Sequence, residues 1–281
     1  MSSLHIFVTF QNFFTIFSKY FSCFKYEEVL GHFSTFFGSG FLYLYIIPLL
    51  AIVNTKIYHR LLISCIASDF INLILKWILD EDRPYWWIHE TKAYTSLTRP
   101  TLYQTERTCE TSAGSPSGHL MLAACFLHVI YDEINSRIEN SPSLSHKFIL
   151  KTLNKVAIVS LLVLTAISRM FFAAHFLHQC ILGGGIGIIV SLLMTRGYSE
   201  KFATFKKRTW VTIVVWMVIA VMSIYWAHKL FSGNPMKSVQ LAFKHCKDPL
   251  FPKPETTVVF SAIRCVAMSC GLLLNAPIVR R

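Results

Sequence analysis

Residues 61–84 read LLISCIASDFINLILKWILDEDRP, an apolar run that closes on basic side chains. The part from 61 to 79 has about the length that an α-helix needs to cross a bilayer. Lys76 lies near its end, and Arg83-Pro84 follows in a polar connection. A cation at a membrane edge is costly unless it meets water or an anion. The stretch therefore predicts a membrane helix that brings cationic side chains to an anion site.

Similar apolar runs recur along the whole chain. It has 281 residues, of which 53% are hydrophobic, and a mean hydropathy of +0.48. The runs lie at 36–53, 61–79, 117–134, 156–172, 176–195, 209–230 and 256–276. So many long runs in so short a chain disfavour the alternative of buried helices in a soluble enzyme. The sequence predicts an all-α, polytopic membrane helical bundle of about seven spans.

The chain shows no internal repeat, low-complexity tract or long linker. Residues 1–281 are therefore expected to form a single membrane-embedded domain. Residues 5–18 are apolar but short, and they lack the basic start and small-residue cleavage site of a signal peptide. We interpret them as an interfacial segment within an N-terminal region, 1–35, that lies on the lumenal or exterior side.

The net charge of +12 suits nucleic-acid binding, but its distribution indicates membrane topology instead. Lys and Arg are denser in the connections 54–60, 131–155 and 196–208 than in 1–35, 76–116 and 229–255. Cytosolic connections carry the excess of Lys and Arg in membrane proteins. The sequence thus predicts that 76–116 faces the lumen or exterior. It predicts contact with membrane lipid and no nucleic-acid partner.

Three short phrases contain the residues suited to chemistry. They are Lys76 to Arg83-Pro84, then Pro116-Ser117-Gly118-His119, then Ser168-Arg169 to His175. The connections between spans two and three and between spans four and five emerge on the same side, so the phrases can share one site. Lys76, Arg83 and Arg169 suit the oxygens of a phosphate. Ser117 and Gly118 open a helix, whose free N–H groups attract an anion.

Two histidines supply what phosphoryl transfer through a covalent intermediate needs. His175 is predicted to attack phosphorus as the nucleophile, and His119 is predicted to protonate the leaving oxygen. The three cations would neutralise the phosphate charge, which metal ions do in many phosphoryl transferases. No carboxylate cluster with metal-ligand spacing accompanies the phrases, so neither a metal nor another cofactor is expected.

Alternatives stay open at several positions. Lys76 also suits a lysine that snorkels from a helix end. Asp69 lies inside a predicted span and is either functional or paired with Lys76 or a polar neighbour. His178 is better explained by packing or by support of the site than as a second nucleophile.

Two further patterns concern packing and compartment. Gly183-Gly184-Gly185 and Gly187 favour close helix packing, since no strand precedes them as in a phosphate-binding loop. Cys109 and Cys246 both fall on the predicted lumenal side, where a disulfide can survive but is not required.

The order and spacing of the three phrases resemble the signature of the type 2 phosphatidic acid phosphatase superfamily. That signature is Lys, six residues, Arg-Pro; then Pro-Ser-Gly-His; then Ser-Arg, five residues, His, and the chain matches all of it. Within the superfamily, the stretches RPYWW, CETSAGSPSGH and SRMFFAAHFLHQ are similar to those of the glucose-6-phosphatase family. The likeness covers residues from about 60 to 195.

The resemblance implies a type 2 phosphatidic acid phosphatase-like core that hydrolyses glucose 6-phosphate through a phosphohistidine at His175, with His119 as proton donor. It implies a multi-pass enzyme of the endoplasmic reticulum membrane, with its site facing the lumen, in the terminal step of gluconeogenesis and glycogenolysis. A glucose-6-phosphate transporter is the implied functional partner. The alternatives are a lipid phosphate phosphatase of the same superfamily, and a weakly active homologue with a regulatory or binding role.

Three features depart from the family pattern. Gln179 stands where the broad superfamily has Asp, four residues after the nucleophile, although the glucose-6-phosphatase branch has Gln there as well; what orients His175 is thus left open. Residues 80–82, Asp-Glu-Asp, add acidic charge just before Arg83 and are expected to weaken phosphate affinity or raise the pKa of nearby groups. The chain also has fewer predicted spans than the nine of the family, so its C-terminal part is expected to be short by comparison.

Overall fold

The computed structural model describes residues 24–95, 97–142, 145–195, 205–231 and 233–275, and the predicted interfacial segment 5–18 lies outside them. The helices are α1 (Phe24–Phe36), α2 (Ser39–Val53), α3 (Thr55–Leu79), α4 (Pro84–Glu90), α5 (Gly118–Asn140), α6 (Lys147–Phe171), α7 (Leu177–Leu193), α8 (Lys207–Phe231), α9 (Lys237–His245) and α10 (Val258–Asn275). A π-helical turn at Leu42–Ile46 interrupts α2, and a 3₁₀ turn at Pro254–Thr256 precedes α10. Over the described ranges there is no β-strand.

The predicted helical membrane bundle is confirmed, and a helix lies at each predicted run. Within the described ranges, three segments are long and apolar enough to cross a bilayer: α6, α8, and the continuous stretch formed by α3 and α4. Helices α1 and α2 meet at a bend of 55° and together form a fourth candidate, while α7 and α10 are apolar but shorter. The count of about seven spans therefore remains a prediction.

Helices α6 and α8 present apolar side chains to the outside of the bundle. Only 6% and 11% of their most apolar stretches are buried within the protein, against 61% for the span that contains α3. Val163 on α6 is 50% exposed and Trp216 on α8 is 64% exposed. Apolar surface of this extent is suited to lipid rather than to water. These two helices form a lipid-facing side, and α3 lies within the bundle.

Helix α5 lies in the middle of the fold, against α3, α6 and α7. Its close approach to α7 depends on glycine. A Cβ at Gly183 would lie 2.5 Å from the Ser117 carbonyl oxygen, and a Cβ at Gly187 would overlap the Met121 carbonyl oxygen. A Cβ at Gly185 would meet open space. The prediction of close helix packing is thereby confirmed for Gly183 and Gly187.

Gly187→Ala is expected to destabilise the protein, because the added methyl group must push α7 away from α5. Overpacking of this kind costs about 1–3 kcal/mol. The matched control is Gly185→Ala, two residues earlier on the same helix, which has room for its methyl group and is expected to change stability by less than about 1 kcal/mol. Thermal unfolding of the two purified variants in one detergent compares them. Equal stability of the two variants would contradict the packing account.

A disulfide between Cys109 and Cys246, which the sequence leaves open, links the long α4–α5 connection to the end of α9. Backbone contacts with Lys253 hold the same connection in place. The Lys253 backbone N–H donates to the Cys109 carbonyl at 3.2 Å, and the Thr111 hydroxyl donates to the Lys253 carbonyl at 2.8 Å. The backbone on both sides of residue 110 is therefore held in place.

Candidate active site

The three phrases converge on one cluster of side chains. Lys76 lies in the last turn of α3, Arg83 directly precedes α4, and His119 lies in the first turn of α5. Arg169 lies in the last turn of α6, and His175 lies in the connection from α6 to α7. The structure brings together the five side chains for which the sequence predicts the chemistry.

At the centre of the cluster lies Glu110, which sequence reasoning missed. Its Oε2 atom lies 2.7 Å from Arg83 Nη1 and 3.6 Å from His175 Nε2. Its Oε1 atom lies 2.5 Å from Arg169 Nη2 and 3.4 Å from His119 Nδ1. Two guanidinium groups and two imidazoles thus surround a single carboxylate. We call these four residues, together with Lys76, the cradle.

The Glu110 carboxyl is ionised at neutral pH. Burial works to raise its pKa, but chiefly the charges of Arg169 and Arg83 outweigh burial and hold the pKa well below its usual range. The charge on Glu110 partly neutralises the buried cations around it. The cluster is therefore arranged to hold a small oxyanion out of water.

Backbone carbonyl groups hold the Arg83 guanidinium in position. Its Nε donates to the Ser112 carbonyl at 2.6 Å, and its Nη1 donates to the Ala174 carbonyl at 3.0 Å. Its Nη2 donates to the Ala113 carbonyl at 3.2 Å and to the Ser112 hydroxyl at 3.1 Å. Because these acceptors lie on two different connections, Arg83 ties the α4–α5 connection to the α6–α7 connection.

Lys76 and Arg169 complete the cationic part of the cradle. The Lys76 side chain is buried, and its Nζ donates to the Ala113 carbonyl at 2.5 Å. The alternative of a lysine that snorkels out to water is therefore wrong. Arg169 is 1% exposed, and its Nη1 donates to the Ser34 hydroxyl on α1 at 2.6 Å. Helix α1 thus supports the site, a contribution that no sequence pattern indicates.

The surroundings of His175 fix its tautomer and leave it neutral. Its Nδ1 lies 2.8 Å from the Gly114 carbonyl, which can only accept, so Nδ1 carries the proton. Its Nε2 lies 3.1 Å from Arg83 Nη1 and keeps its lone pair directed into the cradle. Burial first, and then the Arg83 charge, hold the pKa of His175 well below its usual range. The imidazole is suited to act as a nucleophile through Nε2.

Gln179 anchors the connection that carries His175. Its Oε1 accepts from the Phe176 backbone N–H at 3.2 Å and lies 3.3 Å from His175 Nδ1. Its Nε2 donates to the Asp82 carbonyl at 3.0 Å and to Glu81 Oε2 at 3.2 Å. Gln179 therefore joins the start of α7 to residues 81–82.

The acidic residues before Arg83 have partners outside the cradle. Lys237 Nζ lies 3.4 Å from the Asp80 carboxylate and 3.6 Å from the Asp82 carboxylate. The Glu81 carboxylate lies 2.9 Å from Nε2 of His178, whose side chain is 55% exposed. The expected effect of this triplet on phosphate affinity stays a prediction.

The Pro-Ser-Gly-His phrase serves packing more than predicted. Ser117 is the residue that precedes α5, but its side chain makes no cap hydrogen bond; its backbone N–H donates to the Gln179 carbonyl at 3.0 Å. A Cβ at Gly118 would lie 3.2 Å from Asn72 Oδ1, so Gly118 allows α5 to approach α3. Only His119 of this phrase has a side chain that reaches Glu110.

The Asp69 carboxylate lies 3.2 Å from the Arg264 guanidinium of α10. The suggested pairing of Asp69 with Lys76 is therefore wrong. The Asp69–Arg264 pair lies next to the cradle and helps to hold α10 against α3. No group of three or more His, Cys, Asp or Glu side chains in the described ranges is arranged to hold a metal ion.

Two cavities adjoin the cradle, and Glu110 and His119 line both. One has a volume of about 880 Å³, and its wall is mainly apolar, formed by residues that include Phe41, Leu44, Ile47, Leu62, Phe260 and Ile263. The other has a volume of about 70 Å³, and its wall is mainly polar, formed by residues that include Asp69, Asn72, Lys76, Ser112, Ser261 and Arg264. The site therefore offers two different environments to whatever is attached to the bound anion.

Comparison with known proteins agrees with the motifs. The family model of the PAP2 superfamily matches residues 57–203. Glucose-6-phosphatase catalytic subunit 1 of Haplochromis nubilus is 31% identical over 258 residues, which are 90% of this chain and 72% of that protein. Glucose-6-phosphatase 2 of Mus musculus is 32% identical over 232 residues, 80% of this chain and 64% of that protein. A PAP2 type phosphatidylglycerolphosphate phosphatase structure from Bacillus subtilis shares 25% identity over 64% of this chain and 79% of its own, with a TM-score of 0.41.

Proposed function

This chain belongs to the glucose-6-phosphatase family of the PAP2 superfamily and is a phosphoric monoester hydrolase by class, and on that premise we propose that it hydrolyses glucose 6-phosphate to glucose and phosphate. The observation that carries the proposal is the cradle. Arg83, Arg169, His119 and His175 already contact the two oxygens of one carboxylate. The two guanidinium groups suit the oxygens of a phosphoryl group, and His175 Nε2 keeps its lone pair for phosphorus.

The proposed reaction has two steps that share one geometry. In the first, the His175 Nε2 lone pair attacks phosphorus, the bond from phosphorus to the sugar oxygen breaks, and His119 gives its proton to that oxygen. In the second, His119 takes a proton from water, the water oxygen attacks phosphorus, and the bond from phosphorus to Nε2 breaks. The products are glucose and inorganic phosphate, and both histidines return to their starting states.

The cations lower the barrier by holding the charge that the phosphoryl group carries throughout. Arg83 and Arg169 have their guanidinium groups fixed by protein acceptors before the substrate arrives. Donors that are fixed in advance, in a site without water, stabilise a transition state without reorganising during the reaction. The Gly114 carbonyl keeps the proton of His175 on Nδ1 while Nε2 forms its new bond.

The smaller cavity supports a sugar as the leaving group. Its volume is about 70 Å³, and polar side chains form most of its wall. Its wall offers the Asp69 carboxylate, the Asn72 amide and the Arg264 guanidinium. Such groups can exchange hydrogen bonds with water for hydrogen bonds with sugar hydroxyls. This wall disfavours an acyl chain.

The larger cavity favours a second candidate, a lipid phosphate phosphatase. Its volume of about 880 Å³ and its apolar wall between α2, α3 and α10 suit hydrocarbon rather than a sugar. The two substrates would use the same cradle and differ only in the cavity that holds the leaving group. The family relationship favours glucose 6-phosphate.

We further propose that the protein lies in the endoplasmic reticulum membrane with its site facing the lumen, and that a glucose-6-phosphate transporter supplies its substrate. The disulfide between Cys109 and Cys246 supports an oxidising compartment on the motif side. The lower density of Lys and Arg in the connections that carry the motifs supports the same orientation. Its place at the terminal step of gluconeogenesis and glycogenolysis would follow from this reaction.

One experiment tests substrate and orientation together. Phosphate release is measured from glucose 6-phosphate and from phosphatidic acid, with the protein in detergent and in intact microsomal vesicles. Hydrolysis of glucose 6-phosphate at a kcat/KM at least about 100-fold above that of the lipid is expected, as for a site that pairs with substrate hydroxyls. Vesicles without the transporter are expected to be latent until opened. Preference for the lipid would replace the proposal with the second candidate, and no turnover of either substrate would refute both.

A further inference from the structure

Glu110 lies where the substrate's phosphoryl group must bind. Its carboxylate oxygens lie within 2.7 Å of Arg83 Nη1 and Arg169 Nη2, and both imidazoles face it. A phosphoryl group bound by the same guanidinium groups and attacked by His175 Nε2 would overlap this carboxylate. Two anions also repel each other at such a distance. The carboxylate and the phosphoryl group therefore exclude each other.

We propose that Glu110 is a built-in occupant of the cradle, a carboxylate that neutralises the empty site and must swing out before a phosphate monoester can bind. The inference rests on the proposed function only in that the cradle binds phosphate; the identity of the sugar does not enter. It assigns to Glu110 an autoinhibitory contact that sets the affinity for phosphate.

The surroundings of Glu110 allow its side chain to move while its backbone stays in place. The backbone is held by the Cys109 disulfide, by the bridge to Lys253 and by the hydrogen bonds of Thr111. The side chain borders the cavity of about 880 Å³, which Arg107 and Lys253 also line. Rotation into that cavity gives the carboxylate space and two cationic neighbours. The movement needs a change of side-chain rotamer and no rearrangement of helices.

The occupant has an advantage for the empty enzyme. Arg83 and Arg169 are 0% and 1% exposed, and removal of their shared carboxylate would leave two buried cations close together without an anion. Buried charges that lose their partner strongly destabilise a fold. Glu110 thus stabilises the empty site and weakens the binding of every competing anion, including the phosphate product. Phosphate affinity is reduced by the fraction of molecules in which Glu110 blocks the cradle.

The test uses Glu110→Gln, with Glu106→Gln as the matched control. Glu106 lies four residues earlier on the same connection, its side chain is 57% exposed, and its carboxylate lies 3.8 Å from Arg107 Nη1. Each full-length protein in detergent is titrated with inorganic phosphate, and the melting temperature is recorded at each concentration. Without phosphate, Glu110→Gln is expected to melt below wild type, because its buried guanidinium groups lack an anion.

Phosphate is expected to raise the melting temperature of Glu110→Gln more than that of wild type, with half-saturation at about tenfold lower concentration, because no competing carboxylate remains. Glu106→Gln is expected to follow wild type. An unchanged or weaker phosphate affinity in Glu110→Gln would overturn the inference. Where Glu110→Gln folds only in the presence of phosphate, a structure of wild type with inorganic phosphate decides: phosphate on Arg83 and Arg169 with Glu110 rotated away supports the inference, and phosphate bound with Glu110 still in place refutes it.

The same titration separates this inference from the proposed function. It needs no glucose 6-phosphate and no turnover. A wild type that fails to hydrolyse glucose 6-phosphate but shows the expected difference between Glu110→Gln and wild type would refute the function and support the inference. The converse result would support the function and refute the inference.

Discussion

His175→Asn is expected to lower kcat for glucose 6-phosphate by at least about 10⁴-fold and to leave the protein folded, because the variant has no nucleophile. The asparagine amide can still donate to the Gly114 carbonyl, which lies 2.8 Å from His175 Nδ1, but no atom replaces Nε2. The packing around the side chain is thus largely preserved. Initial rates over a range of substrate concentrations, with melting temperatures of the same preparations, measure both quantities.

The matched control is His178→Ala, three residues along the chain. The His178 side chain is 55% exposed and lies against Glu81, outside the cradle. Its replacement is expected to leave kcat within about threefold of wild type, as for a surface substitution away from the site. A His175→Asn variant that keeps more than a hundredth of wild-type kcat would show that His175 is not the nucleophile. A His178→Ala variant that loses as much activity as His175→Asn would contradict the assignment as well.

Arg83→Lys is expected to reduce kcat/KM by about 10³-fold although it keeps the positive charge. The Arg83 guanidinium donates to the Ser112, Ala113 and Ala174 carbonyls while its Nη1 faces the site. A lysine ammonium is a single point charge and cannot reach two connections and the phosphoryl group at once. Fixed cationic groups that stabilise the charge of a transferring phosphoryl group are worth about 10³–10⁵ in rate.

Arg99→Lys serves as the control for this substitution. Arg99 is half-buried, and its Nε donates to the Ile88 carbonyl at 3.1 Å, away from the cradle. Its exchange is expected to change kcat/KM by less than about threefold. The melting temperature of Arg83→Lys, with and without phosphate, distinguishes loss of catalysis from loss of fold. Near-normal kcat/KM in a folded Arg83→Lys enzyme would show that charge alone, without the planar fork, is enough.

The convergence of the cradle was predictable because it depends on the order of helices. Its five residues each lie at a helix end or in a short connection: Lys76, Arg83, His119, Arg169 and His175. An even number of membrane crossings returns the chain to the same side. Such parity can be counted from apolar runs alone. The closeness of α5 and α7 was predictable for a similar reason, since glycines inside an apolar helix indicate close backbone contact.

Glu110 was not predictable in the same way. It lies in a long irregular connection, where no period of hydrophobicity marks which side chains point inward. Glu110 and its partner Arg169 are 59 residues apart in the sequence. Asp69 and its partner Arg264 are 195 residues apart. Such pairs are set by tertiary packing rather than by spacing. An acidic residue directly after Cys109, within a connection tied down by a disulfide, is the one local signal that the sequence contains.

The orientation of His175 also lay beyond sequence reasoning, because its partner is a backbone group. Every residue carries a carbonyl, so no residue type identifies the Gly114 oxygen as the acceptor of the Nδ1 proton. Gln179 holds the connection in place through the Phe176 N–H and the Asp82 carbonyl. The number of spans could not be predicted for a different reason. Helices α7 and α10 are apolar but short, so their length rather than their composition leaves the count open.

During turnover the phosphoryl group passes through the enzyme, and the residue that carries it can be located. Wild-type protein is mixed with glucose 6-phosphate labelled on phosphorus, quenched within milliseconds under alkaline conditions that preserve phosphohistidine, and digested for mass spectrometry. We expect label on the peptide that contains His175, attached to Nε2, and no label in His175→Asn. Label on His119 or on no residue at all, in an enzyme that releases phosphate, would contradict it.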